Sequence, residues 1–68
     1  MRQWTVTDTV RFLRTADLEG PAELCYASGV CGKDLLELTA ETLCSDVRMS
    51  RFAARKVVEA RNVFLSGN

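Results

Sequence analysis

The chain has no histidine and only one proline, one tryptophan and one tyrosine. Histidine is the side chain that most often gains and loses a proton near neutral pH, so its absence disfavours general acid–base catalysis. No serine stands in a G-x-S-x-G turn, and no G-x-x-x-x-G-K-[ST] loop is present to hold a phosphate group. We therefore predict that the chain is not an enzyme and that it has no catalytic or cofactor-binding residues.

Long apolar runs are missing as well. No segment approaches the roughly 20 apolar residues that a membrane-spanning helix needs. The N-terminal residues Met1 to Trp4 carry a positive charge, but no apolar stretch follows them, so a signal peptide is not predicted. We expect no membrane partner.

Candidate metal ligands are few. The chain has three cysteines, Cys25, Cys31 and Cys44, an odd number that cannot all pair within one molecule. Without histidine, three thiols also fall short of the four ligands typical of a structural zinc site. We interpret them as small, partly buried apolar residues in a reducing compartment. This predicts no bound metal and an intracellular location, cytoplasmic or nuclear.

What the chain does contain is the composition of a small globular domain. Hydrophobic residues make up 47% of it and charged residues 26%, which argues against disorder. A chain of 68 residues forms one domain of marginal stability, because only about 60% of its surface is buried on folding. We expect one domain over residues 1–68, cut from a longer protein, with a core too small for a deep catalytic cleft.

The spacing of apolar residues predicts five helices and no strand. Their approximate bounds are residues 7–15, 21–28, 33–37, 40–46 and 51–65, and the last helix is the longest. The predicted fold class is therefore all-α, a compact five-helix bundle. The positions predicted at inward helical spacing are Thr9, Phe12, Leu13, Ala16, Leu24, Cys25, Ser28, Leu43, Val47, Ala54, Val57, Val58, Arg61, Phe64 and Leu65.

Residues typical of helix ends support these bounds. Thr5 followed by Asp8 resembles a capping box at the first helix, and Thr39 and Ser50 can cap the fourth and fifth helices. Pro21 suits the first position of the second helix, since its missing N–H costs nothing there. Gly29 is typical of the residue just past a helix end.

From Trp4 to about Leu65 the order of these features resembles a sterile alpha motif (SAM) domain, a family of five-helix interaction modules. The resemblance is carried by the following segments: Trp4-Thr5-Val6, Phe12-Leu13, Leu18, Val30-Cys31-Gly32 in place of the family's Ile-Asp-Gly, Leu35-Leu36-Glu37-Leu38-Thr39, Glu41 with Leu43, and Arg55-Lys56. They follow the family's order without a gap. The resemblance implies a SAM-like bundle and a protein–protein interaction module; it implies no cofactor.

Some positions depart from the family pattern. The family often has an aromatic residue where Pro21 stands and an acid where Cys31 stands. It also often has Leu-Gly-Ile where this chain has Val47-Arg48-Met49, so a positive charge replaces a glycine before the fifth helix. These departures affect the binding surface more than the fold, and a fold does not by itself fix what is bound.

Charge is divided along the chain although the net charge is zero. Residues 17–46 hold seven acids against Lys33 alone, whereas residues 48–68 hold five basic residues against Glu59. Basic residues at the start of a helix oppose the helix dipole, so the dipole does not explain Arg51 and Arg55. Such segregation can steer a charged partner. The acids Asp34 and Glu37, three residues apart on a short helix, are typical of a solvated face rather than of a catalytic pair.

In many SAM domains the middle helices of one molecule contact the start of helix five in another, and the resemblance implies this head-to-tail association here. The expected partner is the chain itself or another SAM domain. The acidic surface would contain Asp34, Glu37 and Glu41. The basic surface would contain Arg48, Arg51, Arg55 and Lys56, with Phe52 as an apolar anchor if its ring is exposed rather than part of the core.

Two alternatives remain open from the residues. One is binding to an unrelated protein partner, such as a kinase or scaffold. The other is binding of an RNA hairpin through the basic residues at the start of helix five, as some SAM domains do. A neutral chain with a pI near 6.2 lacks the basic footprint of a nucleic-acid binder, so RNA is the weakest of the three.

Overall fold

The computed structural model describes residues 1–67, and these form five α-helices without a strand. The helices are α1 (Val6–Thr15), α2 (Glu19–Ser28), α3 (Gly32–Glu37), α4 (Ala40–Ser45) and α5 (Arg51–Leu65). The all-α, five-helix prediction is confirmed. The radius of gyration, 10.3 Å, is close to the roughly 11 Å of a compact chain of this length. No helix within residues 1–67 has the length and apolar character required to cross a membrane.

Local caps explain where α1, α4 and α5 begin. The Thr5 hydroxyl accepts a hydrogen bond from the Asp8 N–H at 3.2 Å, and the Asp8 carboxylate accepts one from the Thr5 N–H at 3.1 Å. Thr39 and Ser50 cap α4 and α5 through their hydroxyl oxygens. Each cap satisfies N–H groups that have no partner inside the helix. All three predicted caps are confirmed.

The predicted start of α2 at Pro21 is wrong, because the helix begins two residues earlier, at Glu19. Asp17 takes a left-handed conformation with φ of 63°, and the Leu18 N–H then donates to the Leu13 carbonyl at 2.8 Å. This tight reversal starts the helix before the proline. Pro21 is still tolerated there, since N–H groups of the first turn lack an intrahelical acceptor. Gly29 ends α2 with φ of 70°, as predicted.

The core is formed where α1 packs on α2 and α4 packs on α5. Its largest fully buried side chains are Leu13, Leu35, Leu43, Val57, Thr9 and Cys25. Val47 is also buried, which confirms the inward positions predicted at the end of α4. Ala16 and Ser28 are exposed instead of inward, because both stand where their helix ends, past the contact with its neighbour. Phe64 and Leu65, at the end of α5, are also exposed, over 45% and 51% of their surface.

Arg61 ties α5 to the end of α3. One nitrogen of its guanidinium group donates to the carbonyl oxygens of Leu35 and Leu38, at 3.0 and 2.5 Å. Carbonyl groups in the last turn of a helix have no intrahelical donor, so a cation is a favourable partner for them. Arg61 lies on the same face of α5 as buried Ala54 and Val57, and this contact therefore helps to set which face of α5 points inward.

Three aromatic rings hold the N-terminal segment against α1 and the far end of α5. The ring of Trp4 lies 5.2 Å from that of Phe12 and 5.1 Å from that of Phe64, measured between centroids. The rings of Phe12 and Phe64 are 5.4 Å apart. Tilted and edge-to-face pairs at these distances are favourable beyond their buried area.

Gly32 is the point where two backbone segments meet. Its N–H donates to the Trp4 carbonyl at 3.0 Å, and the Trp4 N–H donates to the Met1 carbonyl at the same distance. A Cβ atom at residue 32 would stand 1.8 Å from the Met1 carbonyl oxygen and 2.7 Å from the Trp4 Cβ. Only glycine permits this approach.

We expect Gly32→Ala to lower the free energy of unfolding by about 2 kcal/mol or more, since the added methyl group forces the N-terminal segment off α3. Urea unfolding followed by circular dichroism measures this. Gly20→Ala is the matched control, because a Cβ at Gly20 meets nothing within 4 Å. It should be neutral or stabilising by up to about 1 kcal/mol. Equal effects of the two substitutions would contradict the argument.

Cys25 lies in the core, whereas Cys31 and Cys44 are partly exposed, and all three are free thiols. Burial of Cys25 disfavours its thiolate and raises its pKa from 9.0 to about 11. The thiol therefore acts as a small apolar core residue. In the unfolded chain it ionises at lower pH than in the folded one.

The sign of the resulting pH dependence follows from the raised pKa. The contribution of Cys25 to stability is complete below pH 9.0 and is lost as the pH rises toward 11. Wild type should therefore lose more stability than Cys25→Ala between about pH 8 and about pH 10.5. Urea unfolding of both proteins across this range measures the difference. Parallel pH curves would contradict a buried, neutral thiol at this position.

Candidate protein interaction surfaces

Phe52 is the most exposed large apolar side chain at the start of α5. It occupies the second position of the helix that Ser50 caps, and 70% of its surface is accessible. The core side of α5 is taken by other residues, so the ring points to solvent. The alternative that Phe52 belongs to the core is therefore excluded.

Basic side chains flank this ring. Arg48, Arg51, Arg55 and Lys56 are all exposed. Residues of an α-helix are about 100° apart, so Arg51 and Arg55 lie on one side of Phe52 and Lys56 lies on the other. The Lys56 Nζ stands 4.7 Å from the centroid of the Phe52 ring, a cation–π contact. We call these five residues the basic surface.

The arginines of the basic surface are available to a partner. Within residues 1–67, the hydrogen bonds made by arginine side chains come from Arg61. The first turn of α5 contains no acidic residue that would balance Arg51. Positive charge at this end of a helix is unfavourable to the helix dipole. The placement of these charges therefore does not serve the stability of α5.

Arg48 has an unusual backbone conformation. Its φ is 64°, in the left-handed region that favours glycine. This conformation turns the chain back, so that the next residue, Met49, is buried in the core and donates its N–H to the Leu43 carbonyl at 3.1 Å. A non-glycine residue in this region costs roughly 1–2 kcal/mol. The long basic side chain is thus carried at a position where glycine would be less strained.

Acidic side chains surround a shallow depression on another part of the molecule. Its volume is about 350 Å³, and it is lined by Ser28, Val30, Asp34, Glu37, Leu38, Asp46 and Val47. Val30 and Val47 are buried, Leu38 is half-buried, and the three carboxylates are exposed. The depression therefore combines apolar lining with a negatively charged rim. We call it the acidic depression.

The composition of this rim differs from the predicted acidic surface. Asp34 and Glu37 line the depression as a pair, but Glu41 lies outside it, in the first turn of α4. Asp46, the residue that follows α4, joins the rim in its place. The sequence shows Asp46 only as one of the acids in the middle of the chain. Its neighbours depend on packing between helices, which no local pattern reveals.

Asp34 has a structural role as well. Its carboxylate accepts a hydrogen bond from the Cys31 N–H at 3.4 Å, at the start of α3. It also accepts from the Cys31 thiol at the same distance. The Asp46 carboxylate accepts a hydrogen bond from the Ser45 hydroxyl at 3.4 Å. Among residues 1–67, no group of three histidine, cysteine or acidic side chains is arranged to hold a metal ion.

We expect Arg48→Gly to stabilise the domain by about 1 kcal/mol, because glycine adopts the left-handed conformation without strain. Arg55→Gly is the control, since it places glycine inside a helix and should destabilise by about 1 kcal/mol. Thermal and urea unfolding of both variants measure the opposite signs. A loss of stability in both would mean that the arginine side chain stabilises the fold.

The chain matches no protein-family model, and neither a curated protein nor a solved structure matches it.

Proposed function

We propose that the chain is a SAM domain that acts as a protein–protein interaction module and associates head to tail with a second copy or with another SAM domain. The observation that carries this proposal is the exposed ring of Phe52 inside the basic surface. The five helices, with a long last helix, are in keeping with the resemblance. The proposed partner surface is the acidic depression.

In this association the basic surface of one molecule meets the acidic depression of the next. The Phe52 ring enters the depression and packs on the half-buried Leu38, while Arg51 and Arg55 approach the carboxylates of the rim. The two surfaces are different patches of the same molecule, so the contact is heterologous. The assembly grows into an open helical filament unless the rotation that relates one copy to the next closes a ring.

The two kinds of contact have different roles. Burial of a phenylalanine ring supplies affinity, because an aromatic side chain at the centre of an interface removes the most apolar surface from water. Pairs of opposite charge at the rim mainly set the orientation and the association rate, and they are weakened by salt. The association is therefore expected to weaken, but not to vanish, as salt is added.

The strained backbone conformation of Arg48 is a separate observation that supports the proposal. A residue held in an unfavourable backbone conformation often has a functional reason to be there. Arg48 precedes α5 and adds a positive charge next to Arg51 and Phe52. We therefore expect Arg48→Gly to weaken association even though it relieves strain.

Two charge reversals test the head-to-tail contact. Arg51→Glu and Glu37→Arg should each abolish head-to-tail association, because each places like charges across every such contact. An equimolar mixture should form dimers through the one pair of intact surfaces. Sedimentation velocity over a range of protein and salt concentrations measures the species present.

Lys33→Glu is a matched control for these reversals. Lys33 is exposed, and it lines neither the acidic depression nor the basic surface. This variant should assemble as wild type does. A wild-type domain that stays monomeric at millimolar concentration would refute self-association. An RNA hairpin titration that saturates under the same conditions would instead favour the nucleic-acid alternative.

A further inference from the structure

A stripe of exposed side chains runs along α5, on the side opposite to the core; we call it the α5 stripe. It consists of Phe52, Lys56, Glu59 and Val63, spaced by four, three and four residues. All four side chains are exposed, and the two apolar ones are accessible over 70% and 55% of their surface. This spacing keeps them on one narrow face of a helix.

The order of side chains along this α5 stripe is self-complementary. When two copies of a helix pack antiparallel about a two-fold axis, each residue meets the residue at the mirrored position of the stripe. Phe52 then faces Val63 of the second copy, and Lys56 faces Glu59 of the second copy. Both ends of the contact are therefore apolar, and its centre contains two pairs of opposite charge.

We propose that a second copy of this chain docks on the α5 stripe through antiparallel, two-fold pairing of α5 with α5. Such an interface is isologous, since the same patch is used by both molecules, and it stops at two copies. A parallel arrangement would place Lys56 against Lys56 and Glu59 against Glu59, which is repulsive. The charge pattern thus selects the antiparallel orientation.

The shape of the surface beside the stripe fits a second helix. A groove of about 550 Å³ runs along one side, where α5 lies beside α1, and it is lined on the α1 side by Phe12 and Ala16. Another of about 420 Å³ runs along the other side, near Ala40 and Val58. Glu59 and Val63 line both grooves and so form a ridge between them. Helices pack when the ridge of one fits a groove of the other.

The surface area that this contact would bury is small. A stripe of four side chains on a helix of 15 residues is smaller than the interfaces of permanent dimers. We therefore expect a transient dimer that dissociates on dilution. Because Phe52 belongs to both the α5 stripe and the basic surface, one copy of the ring cannot serve both contacts at once. Pairing of α5 with α5 would thus compete with head-to-tail growth.

The experiment uses Glu37→Arg as its parent protein, because this substitution removes the head-to-tail contact and leaves the α5 stripe unchanged. In this parent, Lys56→Glu and Glu59→Lys should each weaken dimerisation on the order of tenfold or more, since each creates two pairs of like charge. An equimolar mixture of the two should regain a dimer with the parent's affinity. In this mixed dimer, positions 56 and 59 carry opposite charges in both of the pairs that they form across the contact.

Sedimentation equilibrium measures the dimerisation constants. The double variant Lys56→Glu with Glu59→Lys should also dimerise as the parent does, because the exchange keeps the pattern self-complementary. Lys33→Glu, outside the stripe, should change nothing. Three results would each overturn the inference: a parent that is monomeric at millimolar concentration, single reversals without effect, or a mixture that does not recover. Each leaves the head-to-tail proposal intact, because that proposal is judged first from the assembly of wild type, in which the acidic depression is unchanged.

Discussion

The hydrogen bonds from Arg61 to the carbonyl groups that end α3, together with the burial of Ala54 and Val57, set how α5 is rotated about its own axis. With these residues turned inward, Phe52 and Val63 on the opposite face of the helix are exposed. The exposed position of Phe52 follows from this rotation. A cation that donates hydrogen bonds to free carbonyl groups inside the domain thus helps to determine which side chains are exposed outside it.

The exposed face of α5 contains features that do not favour the stability of the isolated domain. Basic side chains stand at the positive end of the helix dipole, an aromatic ring lies in water, and Arg48 keeps a conformation suited to glycine. Stability is supplied elsewhere, by the caps, the aromatic contacts around Trp4 and the close approach at Gly32. This division is in keeping with the interaction proposed at the start of α5.

The ends of most helices could be predicted from the sequence, because caps such as Thr5 and Ser50 act within a few residues. The start of α2 could not, since it depends on the left-handed turn at Asp17. The two proposed surfaces were less accessible to such reasoning. The exposure of Phe52 depends on the rotation of α5, and the place of Asp46 beside Glu37 depends on how α4 packs. Both are set by contacts between residues that are far apart in the chain.

The cluster of Trp4, Phe12 and Phe64 joins the first turns of the chain to the far end of α5. Trp4 is the only tryptophan in the sequence. Its indole is therefore an intrinsic optical probe placed at the contact between the N-terminal segment and the last helix. Fluorescence excited at this one residue would report whether the far end of α5 is seated on the bundle, without any added label and at a distance from the surface proposed at the start of α5.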